Sequence, residues 1–319
     1  MGAPFAPASV SLRSYAHDGL DAVATITELR AQAVLAVRHG FDGVMTSEHH
    51  AGFAGYLPNP LQLAGFLLDA MPSGWAAPCP LLLPLRAAAL VAEEVAWLAA
   101  RFPDRVGLGV AAGALPVDFE VAGTTMDDLT ARFATALETL ARLVRGDTDG
   151  PLERDAAIVR CHDHPIPLLS AAASVTAARR AAVNGCGLLF DSLSTTTRCR
   201  ELVDAYRAAG GGAPVVLVRR CWLGEPPAGA FDRQVSVYRS YAPDTATAHW
   251  GHDELARSND AGEVVEGLVA AARDAGADAL NLRVHVPGVD PAAAREQVEA
   301  LGEAVVPRVR HALAGVVTR

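Results

Sequence analysis

Short apolar runs alternate with longer amphipathic stretches from one end of the chain to the other, the rhythm of strand and helix in a parallel sheet or barrel. Strands are predicted at 9–13, 43–46, 77–83, 106–110, 168–172, 188–191, 215–223 and 279–286. Helices are predicted between them at 21–38, 61–70, 87–100, 126–145, 175–184, 197–209, 261–275 and 291–314. In the first helix Val23, Ile26, Leu29, Ala33 and Val37 form the apolar stripe, Glu28 and Arg30 lie on the other side, and Gly40 supplies the stop. Eight such units in succession point to α/β architecture with a closed (β/α)8 TIM barrel, built as one domain over 1–319. Two polar excursions interrupt the rhythm. One is 146–167; the other, 224–259, is an insertion after the seventh strand and carries Pro226-Pro227, Tyr238, Tyr241, His249 and Trp250. Long excursions on barrels serve as lids or subunit contacts.

Composition narrows the partners. Hydrophobic residues make up 51% of the 319 and charged ones 20%, enough for a large core and too apolar for disorder. The net charge is −9 and no basic block interrupts it, which removes nucleic acid as a partner. No apolar stretch reaches the length of a membrane span and residues 1–10 lack a leader's pattern, so the chain reads as a soluble, cytoplasmic enzyme. Cys79, Cys161, Cys186, Cys199 and Cys221 are scattered singly and read as reduced thiols; none sits at zinc-ligand spacing, and no metal is expected.

The strand at 43–46 runs out into Ser47-Glu48-His49-His50, with Asn59-Pro60 nine residues on. The C-terminal ends of barrel strands are where active sites are built, so a carboxylate and two imidazoles there are candidates for general acid/base chemistry. Neighbouring residues on a strand face opposite ways, which leaves one histidine in a supporting role. A metal would need a third ligand from elsewhere, and histidines hydrogen-bonded within a packed loop are the plain alternative. Pro80, inside the apolar run 76–84, removes a ladder donor and implies a bulge, a cis Cys79-Pro80 peptide or a kink at the strand start. The glycines of 106–113 allow close backbone approach but lack a dinucleotide fingerprint. At 170–176 a strand leads straight into a helix, where Ser174 and Thr176 fit both a phosphate-binding helix start and an ordinary N-cap.

Taken in order, Glu48-His49-His50 through Asn59-Pro60, Leu83-Pro84 with Ala92-Glu93-Glu94-Val95, Gly109 to Gly113, Asp118-Phe119, and Gly123-Thr124 with Met126-Asp127 resemble the bacterial luciferase-like flavin monooxygenases. The resemblance continues through Ser174, Ala181-Ala182 and Gly185 to Val306-Pro307. It implies a flavin-dependent monooxygenase that takes reduced FMN from a separate flavin reductase, reacts it with O2 to a C4a-peroxyflavin, and oxygenates a small apolar or carrier-tethered organic substrate. His49 then matches the catalytic histidine, oriented by Glu48, and Asp118 an acidic residue near the flavin ring. Cofactor contacts are implied for Cys79, Pro80, Ala111, Ser174, Val175, Thr176 and Asp191, with a cis peptide beneath the ring at Cys79-Pro80. Family habit adds a homodimer, with the surface of 87–100 as its candidate face.

The chain also departs from that pattern. Ala112 and Thr130 stand where luciferases carry phosphate-binding arginines, leaving Arg132 or Arg86 as candidate substitutes, and Ala111 replaces the reactive cysteine. Two other readings stay open: an F420-dependent oxidoreductase on the same barrel, and a noncatalytic flavin-binding relative.

Overall fold

The structure is a computed structural model that describes residues 2–148, 150–240, 247–251 and 254–317; Tyr241 lies outside the described residues. Parallel strands need crossovers long enough for a helix, and the chain supplies one after nearly every strand. The strands are β1 (Val10–Arg13), β2 (Gly43–Thr46), β3 (Trp75–Pro78), β4 (Leu81–Leu82), β5 (Leu108–Ala111), β6 (Leu168–Ala171), β7 (Gly187–Phe190), β8 (Val215–Leu223), β9 (Leu255–Ser258) and β10 (Ala279–Arg283). Their order is β3-β2-β1-β10-β8-β7-β6-β5-β4, with β9 beside β8, and every ladder is parallel. β3 and β4 are two halves of one barrel strand. β3 pairs with β2 and β4 with β5, a bridge from Ala76 to Val106 completes the closure, and the Cys79-Pro80 peptide between the halves is cis. The result is a (β/α)8 barrel whose third strand, expected as one run over 77–83, is split.

Helices α1 (Ala22–Arg38), α2 (Pro60–Ala70) and α3 (Ala88–Arg101) follow the first three barrel strands, and α4 (Pro116–Val121) and α5 (Leu129–Leu143) follow the fourth. Then come α6 (Ala156–Arg160), α7 (Val175–Val183), α8 (Thr196–Ala208), α9 (Ala230–Arg239), α10 (Ala261–Ala275), α11 (Pro291–Ala304) and α12 (Val306–Val317). The predicted helix over 291–314 is therefore two, because Pro307 fits a first turn but cannot donate within a continuous helix. On α1 the buried face is rotated from the expected one. Glu28 and Gln32 are inside while Val23 is 78% exposed, since Arg295 pairs with the Glu28 carboxylate and Gln32 donates to it at 2.8 Å.

Alternation along the strands sorts side chains into two cores. Val10, Leu12, Val44, Leu108, Leu188, Leu217 and Leu280 pack outward against the helices. Met45, Trp75, Ala77, Leu169, Leu189 and Val218 fill the barrel, with Phe5 against Trp75 at 5.2 Å between ring centroids. Toward the C-terminal ends the barrel filling turns polar, through Ser11 and Asn281 to Arg13 and Arg283. All five cysteines are buried, and burial pushes the thiols of Cys79, Cys186, Cys199 and Cys221 up to about 12. Among the described residues no helix is long and apolar enough to cross a membrane.

Candidate active site at the barrel mouth

Beyond Thr46 the chain leaves the ladder, and the turn gives the three residues of Glu48-His49-His50 separate tasks. His49 Nδ1 lies 2.8 Å from Asp118 Oδ2, while the His50 amide donates to Asp118 Oδ1 at 2.8 Å. Asp118 sits in the first turn of α4 and is fully buried. Burial raises its carboxyl, but the His49 and His50 donors outweigh that and hold it below its ordinary value, so it stays an acceptor at neutral pH. An acceptor at Nδ1 fixes the imidazole's orientation, as a histidine used for proton transfer requires. The orienting carboxylate is thus Asp118, where Glu48 was expected. Glu48 is committed elsewhere: it accepts from the Leu82 amide and from Arg86, both at 2.7 Å, and meets His50 Nε2 at 3.1 Å. The buried Glu48 carboxylate therefore ties β4 and the Arg86 turn to the β2 loop.

A cleft of about 690 Å³ opens beside this loop, within the usual range for a small-molecule or cofactor site. Pro80, Ala111, Ser174, Thr176 and Asp191 all line it, so five of the seven predicted cofactor positions converge. Cys79 is buried behind Pro80 with no exposed surface, and Val175 is half-buried outside the cleft lining. Gly109 makes room for this wall, because a Cβ there would stand 2.1 Å from Cys79 Sγ. Arg13 supports it from β1, donating to the Cys79 carbonyl and, at 2.9 Å, to Ser47 Oγ. Ser174 caps α7 by accepting from the Ala177 amide at 3.2 Å, which leaves its hydroxyl proton free to donate to an anion at the helix start. Ala112 and Thr130 face the same cleft, and neither candidate substitute does. Arg86 is held by Glu48, and Arg132 donates to Pro84 O and Thr124 Oγ1 at 3.0 Å. The guanidiniums at the cleft are those of Arg13 on β1 and of Arg180 on α7, neither of which the sequence reading singled out. The donor set of Ser174, Thr176 and Arg180 beside an apolar wall fits a phosphorylated, planar cofactor.

On the other side of His49 lies a narrow slot that the sequence reading also missed. The His49 ring meets Phe53 and Tyr56 at 4.9 and 4.5 Å between centroids. The Tyr56 hydroxyl is hydrogen-bonded to that of Tyr238 on α9, and Arg283 donates to Tyr238 at 2.6 Å. The excursion after β8 thus reaches the mouth through α9. Among the described residues no cluster of three or more His, Cys, Asp or Glu side chains is arranged to hold a metal.

The chain is similar to known proteins along most of its length. The family model of the luciferase-like monooxygenases matches residues 5–308. The alkanal monooxygenase alpha chain of Photorhabdus luminescens is 27% identical over 178 residues, 52% of this chain and 48% of that relative, so the match spans about half the length of each. Among solved structures, the monooxygenase RslO1 of Streptomyces bottropensis superposes with a TM-score of 0.75 at 18% identity, covering 94% of this chain and 99% of its own. The oxygenating constituent of 3,6-diketocamphane monooxygenase of Pseudomonas putida, solved with FMN, gives 0.72 at 18% identity over 94% and 99%. An F420-dependent secondary alcohol dehydrogenase gives 0.71 at 17% identity over 97% and 99%. With the family model spanning nearly the whole chain and a histidine–carboxylate pair at the mouth of its barrel, the protein belongs to the luciferase-like monooxygenase family of oxidoreductases.

Proposed function

We propose that the protein is a two-component monooxygenase: it takes reduced FMN from a separate flavin reductase and uses O2 to oxygenate a small organic substrate. Reduced FMN, when bound, supplies the electrons that activate dioxygen. The observation that carries the reading is the placement of the His49–Asp118 pair next to a cleft walled by Pro80 and Ala111 and ending at Ser174, Thr176 and Arg180. Ser174, Thr176 and Arg180 hold the phosphate, Arg13 keeps the Cys79-Pro80 wall in place, and His49, held by Asp118, moves a proton at Nε2 as oxygen is transferred. Tyr238 and Gln234 of α9 cover the mouth and exclude water, the lid role expected of the excursion over 224–259. A homodimer through α3 belongs to the same reading, supported by Leu90 and Trp97, which are 57% and 56% exposed on that helix.

The test is anaerobic titration of the pure protein with reduced FMN and, in parallel, with reduced F420, followed by mixing with oxygenated buffer. Saturable binding of reduced FMN and a transient oxygen-dependent absorbance band are expected. Binding of F420 alone with no oxygen-dependent band would move the assignment to hydride transfer, and binding of neither would leave a noncatalytic barrel.

A further inference from the structure

Arg283 closes β10 and is 3% exposed, yet among the described residues no carboxylate lies within ion-pair distance of it. The same holds for Arg13, which is 4% exposed. The register that pairs Leu12 with Leu282 sets these two arginines level on adjacent strands, but Arg13 lines the cleft beside Pro80 while Arg283 lines the slot beside Tyr238. A buried guanidinium with no counter-ion among the described residues is costly, and proteins rarely keep such a charge unless something anionic uses it. Arg283 is instead ringed by phenols. It donates to Tyr238 at 2.6 Å, lies 4.0 Å from the Tyr15 ring centroid, and sends its Nε to the His285 carbonyl at 3.2 Å. The local field is positive enough to act on a neighbour: burial raises the Tyr15 phenol, but the guanidiniums of Arg283 and Arg13 pull it down further. Of the residues lining this slot, His285 keeps a buried Nδ1 without a hydrogen-bond partner among the described residues.

We infer that Arg283 is the anion-binding end of the substrate pocket, and that the substrate is an organic acid whose carboxylate docks there while its reacting carbon faces His49 and the cleft. The inference rests on the proposed function for which end reacts. A guanidinium is the group best matched to a carboxylate, through two parallel N–H donors, and a neutral His285 adds a third donor from Nδ1. As it stands the slot has about 10 Å³ free, room for one water, so the carboxylate takes the place of the Tyr238 hydroxyl on Arg283 as α9 shifts outward. Substrate acidity would thereby be sensed at the lid itself, since the bond that the acid replaces is one that holds α9 down. The remaining aromatic wall, Phe53 and Tyr56, suits the apolar body of the same molecule.

The experiment is calorimetric titration of the full, flavin-free chain with benzoate and with its neutral isostere benzamide, on the unaltered protein and on Arg283→Met, Arg180→Met and Tyr238→Phe. Benzoate is expected to bind about tenfold or more tighter than benzamide, a preference of the size a charge-assisted pair supplies. Arg283→Met should erase the preference and Arg180→Met should keep it. Tyr238→Phe, which retains the ring but frees the guanidinium, should strengthen benzoate binding, and this arm stands even if Arg283→Met does not fold. Equal binding of the two probes would overturn the inference, as would unchanged or weaker benzoate binding in Tyr238→Phe. Loss of the preference in Arg180→Met alone would put the anion in the cofactor cleft and overturn it equally. The titration needs neither flavin nor oxygen, so it can fail while the reduced-FMN test succeeds, and the reverse.

Discussion

His49 is the residue on which turnover should depend most steeply. His49→Ala is expected to slow product formation by about a hundredfold or more while leaving flavin affinity near its original value, because the ring meets Phe53 and Tyr56 and lies outside the lining of the cofactor cleft. Single-turnover kinetics beside a flavin titration separates the two effects. Asp118→Asn should leave the imidazole in place but change which nitrogen carries its proton, so kcat falls and its pH profile shifts while KM changes little. The same carboxylate makes a signed stability prediction. Held below its ordinary 3.8 in the folded chain, Asp118 contributes fully above that value and loses its contribution as pH falls below it. Urea midpoints at pH 7 and pH 3 should therefore converge in Asp118→Asn relative to the unaltered protein. The sequence singled out Glu48 and His49, and the family resemblance added Asp118, but how the three pair was not written there. Which carboxylate reaches which imidazole is set by where α4 returns over the β2 loop, and no spacing along the chain encodes that. Arg180 and Arg283 escaped for a related reason: an arginine in a helical stripe or at a strand end reads as a solvated charge until the neighbouring strands are in register.

Element by element, the hydrophobic rhythm was a reliable guide wherever one face of a segment was buried along its whole length. β2, β8 and α10 fall where alternation and helical spacing put them. The short helices α4 and α6 were missed because six and five residues are too few to show a 3.6-residue period. α9 and β9 were missed because they sit in an excursion whose polar content masks their buried positions, Phe231 and Gln234 among them. Glu28 shows the limit of reading polarity as exposure, since its carboxylate is inside only because Arg295 meets it. Two predictions belong at this scale. Gly109→Ala on β5 drives a methyl into Cys79 Sγ and should destabilise the fold by about 1–3 kcal/mol, measured by denaturant unfolding, with the strand ladder otherwise intact. At the start of α7, Ser174→Ala and Thr176→Ala should each weaken reduced FMN binding by about 1 kcal/mol, and Arg180→Met by more, while riboflavin, which lacks the phosphate, binds all three variants as it does the original. Equal losses for the two flavins would place the phosphate elsewhere.

For the molecule as a whole, Trp97→Glu on α3 should convert a dimer to a monomer in sedimentation velocity if that helix is the subunit face, and should leave the sedimentation coefficient unchanged if it is not. The barrel itself was the most legible feature of all, since eight strand–helix units admit few closed arrangements; the split of its third strand and the crowding of arginines at one rim appear only in three dimensions. The burial of every cysteine has a use beyond packing. The thiols of Cys79, Cys186, Cys199 and Cys221, pushed to about 12, carry almost no thiolate at neutral pH, and Cys161 is buried with them, so an oxidant finds no cysteine nucleophile on the native surface. An alkylating reagent should meet the same silence until the barrel opens, and the five sulfurs then serve as a built-in clock, their labelling rate counting how often the folded molecule comes apart.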